Sequence, residues 1–122
     1  MGAIELTASN FEQTISGNEM VLVDFWASWC GPCRQFAPIY EAAAEQHGDI
    51  VFGSINTEVE QQLSAAAQIS SIPTLMAFKQ GQLVFNQAGA LPAPALEELV
   101  TALRGLDLAA VAEAPAGNEQ AE

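Results

Sequence analysis

The chain has two cysteines, Cys30 and Cys33, separated by Gly31 and Pro32 at the end of an apolar run that carries one acid, Asp24. Two thiols at this spacing suit three kinds of chemistry. The first is zinc binding. Cys-x-x-Cys is half of a common structural zinc site, but such a site takes four ligands. The one histidine, His47, lies fourteen residues beyond Cys33. On a single helix that is about 20 Å along the axis, too far for one metal ion, so only a cluster shared between subunits would remain. His47 is instead expected to be solvated near the last carbonyls of its helix. The second is a structural disulfide. Its loop is so short that closing it would restrict an unfolded chain little.

The third is thiol–disulfide exchange. The pair falls where a strand hands over to a helix, so Cys30 stands at or near a helix N-terminus. Free N–H groups and the helix dipole there favour an anion, and Arg34 follows closely. The thiolate is the nucleophile of such exchange. Cys33, one turn on and facing inward, would be the less exposed thiol and could attack Cys30 once a mixed disulfide forms. Asp24 then has a reason to stand in an apolar strand. A buried carboxyl is costly and its pKa is raised. Leu22, Asp24 and Trp26 share one face of a strand, which could set Asp24 beneath the cysteines, able to take the Cys33 proton. The competing reading is a half-exposed acid on an edge strand.

The elements that must position these residues follow from periodicity. Met20 to Ala27 is nearly all apolar, as a central strand covered on both faces is. Gln35 to Gln46 reads as a helix with Phe36, Ala37 and Tyr40 on the stripe beside Cys33, bent at Pro38 and stopped by Gly48. Upstream, Ala3 to Thr7 reads as a short strand. Ser9 and Glu12 have capping-box spacing for a helix that carries Phe11 and Ile15 and ends at Gly17 and Asn18. Downstream, Ile50 to Asn56 reads as a strand. Thr57 is a candidate cap for a helix from Glu58 to Gln68 that buries Val59, Leu63, Ala66 and Ala67. Thr74 to Lys79 and Leu83 to Gln87 form a hairpin across Gln80 and Gly81. Pro92 and Pro94 open a last helix with Leu96, Leu99, Val100 and Leu103 on one face and Gly105 as its C-cap. The order β-α-β-α-β-α-β-β-α predicts an α/β domain with a central mixed sheet and helices on both faces. Residues 1–105 form that domain. Residues 106–122 read as an acidic, alanine-rich extension, partly disordered.

The 122 residues suffice for one domain. Fifteen acids oppose three bases, Arg34, Lys79 and Arg104, for a net charge of −12. No basic footprint for nucleic acid or an anionic membrane is present. No segment reaches the ~18 apolar residues of a membrane span, and the start lacks the basic residues of a secretory signal, although a mature form with its signal removed would look the same. The expected compartment is the cytoplasm, where cysteine pairs tend to be catalytic or metal-binding.

DFWASWCGPC (Asp24 to Cys33), Pro38, SIPT (Ser71 to Thr74), FKQG (Phe78 to Gly81) and AGAL (Ala88 to Leu91) together resemble the thioredoxin family, in order from about Ile4 to Gly105. The resemblance implies a thioredoxin fold and a protein-disulfide reductase with no bound cofactor. It implies Cys30 as nucleophile, Cys33 as resolving thiol, Asp24 as buried acid–base group, and Gly31, Pro32 and Arg34 as tuning residues. Pro73 is expected to be cis. Trp29, Ile72, Pro73, Gly89 and Ala90, with Gly31 and Pro32, would form an apolar docking surface for client proteins. A monomer recycled by an NADPH-dependent thioredoxin reductase is implied, with no metal. The alternatives are an extracytoplasmic oxidase or isomerase of the same fold, and a non-catalytic binding subunit. One departure stands out. Members of the family commonly carry a lysine near the buried aspartate, and Ser54 occupies that place, so the Asp24 pKa is expected to be raised more strongly.

Overall fold

The computed structural model describes residues 2–108. The elements run β1 (Ile4–Glu5), α1 (Phe11–Gly17), β2 (Met20–Trp26), α2 (Gly31–Gln46), β3 (Val51–Asn56), α3 (Gln61–Ala66), β4 (Thr74–Lys79), β5 (Gln82–Ala88) and α4 (Ala93–Gly105). They build one five-stranded sheet in the order β1-β3-β2-β4-β5. β2 pairs parallel with β3 and antiparallel with β4, so the sheet is mixed as expected.

The apolar run of β2 explains its central place. Its alternating side chains supply both faces of the sheet. Leu22 joins Phe36, Tyr40, Phe52, Leu96 and Val100 in the core under α2 and α4. Val21, Val23 and Phe25 join Leu6, Ile15 and Met76 in the core under α1 and α3. Phe36, Tyr40 and Phe52 stack in sequence, with ring centroids 5.5 and 5.2 Å apart. Tyr40 also donates its hydroxyl to Gly53 O at 2.8 Å, which satisfies the one polar atom that this ring buries. Gly53 is required where it stands, because a Cβ there would collide with the Leu6 side chain. The β4–β5 turn places Gln80 and Gly81 at φ 53° and 82°, the left-handed pair that matches the twist of a two-residue hairpin.

Several local expectations are corrected. α1 is not capped by Ser9. Its N-cap is Asn10, whose Oδ1 accepts from Thr7 N instead of from the helix. Thr57 does not cap α3, because its amide and hydroxyl both donate to Trp26 O. That loop takes four residues, Thr57 to Glu60, so α3 begins at Gln61. The shift turns Val59 out to 66% exposure and turns Ser64 inward, where Oγ donates to Glu60 O. Ala66 is exposed as well, and so is Ala37 on α2. α4 ends with Leu106, not Gly105, as its C-cap. The expected extension lies, from residue 109 on, outside the described residues.

His47 is not solvated. It is the C-cap of α2, and its side chain is 14% exposed between two neighbours. Arg104 Nη2 lies 2.8 Å from Nδ1, and Glu97 Oε1 lies 2.9 Å from Nε2. Guanidinium only donates, so Nδ1 accepts and Nε2 carries the proton toward Glu97. Arg104 also binds Asp49 through two hydrogen bonds, which hold its carboxyl down at about 2.

Candidate active site

The cysteines sit at the β2–α2 junction. Cys30 is the N-cap of α2, with φ −90° and ψ 112°, and its sulfur accepts the Cys33 amide hydrogen at 3.2 Å. An amide aimed at sulfur from a helix N-terminus favours the thiolate. The two are joined as a disulfide, with Cα atoms 5.2 Å apart, and each is 3% exposed. Cys30 Sγ lies 3.8 Å from Ile72 O, a contact only, since a disulfide sulfur has no hydrogen to donate.

Asp24 lies on the α2 side of the sheet, at 4% exposure on the central strand, so the edge-strand reading fails. A cavity of about 250 Å³ is lined by Asp24, Trp26, Cys33, Tyr40, Glu41 and Ser54, among others. The acid and the inner cysteine therefore face one space. Asp24 Oδ1 and Trp26 Nε1 are both buried without a hydrogen-bond partner. Burial alone pushes the Asp24 carboxyl up to about 7. Its partner in the β2–β3 register is the neutral Ser54, and Arg34, which also lines the cavity, gives its Nη1 to Ser28 O.

The expected docking residues fall around the sulfurs. Trp29 is 68% exposed, Pro32 is exposed, and Gly31 and Ile72 are half-buried. Trp29 and Ile72 line one shallow groove. Ile72 also packs on the small cluster of Ala27, Cys30 and Cys33. The Ile72–Pro73 bond is cis, as the resemblance implies, and Pro73 is buried. Gly89 N donates to Pro73 O at 2.7 Å, which brings the exposed Gly89–Ala90 segment to the same side.

The Thioredoxin family profile matches residues 2–102. The chain belongs to the thioredoxin family. A Streptomyces coelicolor relative is 52% identical over 113 residues, which is 93% of this chain and 84% of the relative. The thioredoxin of Alicyclobacillus acidocaldarius is 45% identical over 93 residues, 75% of this chain and 89% of that one. The solved structure of a mutant thioredoxin from Halobacterium salinarum superposes with a TM-score of 0.78 at 31% identity, covering 86% of this chain and 92% of that one. The chain is accordingly a thiol–disulfide oxidoreductase, a protein-disulfide reductase, with Cys30 and Cys33 as its redox-active pair.

Two contacts near the site escaped sequence reasoning. Glu58 accepts hydrogen bonds from Ser28, and Arg34, read as a tuning residue beside Cys30, donates to Ser28 O. Nothing local signals the first contact, since Ser28 and Glu58 are 30 residues apart. Among the described residues no cluster of three or more His, Cys, Asp or Glu side chains is placed to hold a metal ion. No helix among them is long and apolar enough to cross a membrane.

Proposed function

We propose that Cys30 is the attacking thiol, Cys33 the resolving thiol and Asp24 the group that receives the Cys33 proton. The Cys30 thiolate attacks one sulfur of a client disulfide, and the other client sulfur leaves as a thiolate that takes up a proton. Cys33 then gives its proton to Asp24 and attacks Cys30 Sγ. The Cys30–client bond breaks, and the second client thiolate departs. Two electrons pass to the client, and Cys30 and Cys33 are left as a disulfide. The observation that carries this division of roles is that the Cys33 amide donates to Cys30 Sγ at the α2 N-cap, while Cys33 and Asp24 line one cavity.

Trp29, Gly31, Pro32, Ile72, Gly89 and Ala90 form the docking surface in this reading, and the buried Pro73 holds the Gly89 amide through its carbonyl. Gly31, Pro32 and Arg34 tune the redox poise. The unit that acts is residues 1–105, and 106–122 are an extension that the chemistry does not require. The protein works as a cytoplasmic monomer, and an NADPH-dependent thioredoxin reductase returns it to the dithiol. The test uses single substitutions in the reduced protein with insulin as client. Cys33→Ser should accumulate a mixed disulfide through Cys30, and Cys30→Ser should trap nothing. Trapping by Cys30→Ser alone would reverse the roles. A reduction potential above that of the cytosolic glutathione pool would sink the compartment and the direction of reaction together.

A further inference from the structure

Cys30 N donates to Ala27 O at 3.2 Å, which closes a turn with Ser28 and Trp29 at its centre. Trp29 is mostly in water, so its own side chain has little to orient it. Its presentation depends on the backbone before it. Every hydrogen-bonding group of Ser28 is held from outside the turn. Glu58 Oε1 accepts from Ser28 N at 2.9 Å and from Ser28 Oγ at 2.8 Å. Arg34 Nη1 donates to Ser28 O at 2.9 Å. Glu58 is itself fixed, since its amide donates to Asn56 Oδ1 and Thr57 ties the same loop to Trp26 O. The Ser28 amide and hydroxyl hold the Glu58 carboxyl below the usual carboxylate range, so it stays ionised through the neutral range.

These groups are exposed, and water would satisfy them almost as well. Their net effect on stability is therefore small. Their effect on position is not, because three bonds from two separate elements converge on one residue. We propose that Glu58 is a positioning residue for the docking surface beside the redox centre: with Arg34 it closes a clamp on Ser28 that fixes Trp29 as the client meets it. The clamp rests on the docking role proposed for Trp29.

The test is Glu58→Ala, Glu58→Gln and Arg34→Ala in the full chain, with insulin as the protein disulfide and a small aromatic disulfide as a client that needs no docking. Glu58→Ala should raise KM for insulin about five-fold, the loss of order that one ordinary hydrogen bond supplies, with kcat nearly unchanged. The small disulfide should react at the parent rate. The exposed tryptophan, selected by acrylamide quenching, should lose fluorescence anisotropy. Glu58→Gln keeps an acceptor in place and should restore most of the KM. Glu58→Ala and Arg34→Ala combined should cost less than the sum of the two. Parent KM and anisotropy in Glu58→Ala, with or without a lower Tm, would overturn the clamp. So would a Glu58→Gln variant as impaired as Glu58→Ala. If the unsubstituted protein reduced both disulfides but Trp29→Ala left insulin KM unchanged, the docking role itself would have failed instead.

Discussion

Asp24 on β2 and Ser54 on β3 are register partners in a parallel pair, and both line the cavity that reaches Cys33. Ser54 brings no charge, and Asp24 Oδ1 has no hydrogen-bond partner to hold its charge. Desolvation is then the one cause acting on Asp24, and its pKa stands near 7. Ser54→Lys would put an ammonium into the same cavity. An opposite charge within a few ångströms lowers a carboxyl by roughly 1–3 units. The Asp24 titration, followed by 13C NMR of its side chain, should move down by at least about one unit, and release of client by Cys33 should speed up near neutral pH. An unmoved titration would mean that the lysine leaves the cavity for solvent.

Asp24 also sets a pH dependence of stability. Its folded pKa is raised from 3.8 to about 7. The folded state therefore binds the proton more tightly than the unfolded state. Stability is fully present below pH 3.8 and is lost as pH rises through about 7. Asp24→Asn removes this titration. It should stabilise the protein by about 4 kcal/mol at pH 8 and by little at pH 4. Urea unfolding at the two pH values measures the difference. Equal gains at both would show that charge burial is not the source.

Trp29 is presented to solvent, so its removal should barely touch the fold. Trp29→Ala is expected to keep stability within about 0.5 kcal/mol. Its kcat/KM toward insulin should fall on the order of ten-fold, as for a hot-spot aromatic. A large drop in Tm with unchanged kinetics would make Trp29 a packing residue.

Lys79 is 5% exposed on β4, and its Nζ donates to Leu103 O, Arg104 O and Leu106 O at 2.6, 3.1 and 2.9 Å. One ammonium thus satisfies three carbonyls at the end of α4, where the helix leaves its last acceptors unpaired. Lys79→Met keeps the stem and removes all three bonds. It should cost roughly 2–4 kcal/mol by urea denaturation, with the Cys30–Cys33 potential unmoved. A neutral result would mean that water replaces the ammonium at those carbonyls.

The strands, the helices and the cysteine site were legible in the sequence because their signals are local. Met20 to Trp26 is apolar on both faces, and such a strand has to be covered on both sides. The Leu96, Val100 and Leu103 stripe has to face a core. Cys30 and Cys33 are one helical turn apart wherever the rest of the chain lies. Asp24 two residues from Leu22 has to share its face. Tertiary structure decided the rest. Whether Val59 was core or surface depended on how many residues the loop after β3 spent in reaching Trp26 O, a carbonyl 31 positions away. His47 drew its surroundings from Glu97 and Arg104, 50 and 57 positions on. Ser28 found Glu58, and Lys79 found the end of α4, only once the sheet had closed. Periodicity specifies which face of an element turns inward. It carries no information on which polar side chain of another element will be waiting there, because that contact is set by chain closure and by the pairing of strands far apart in sequence.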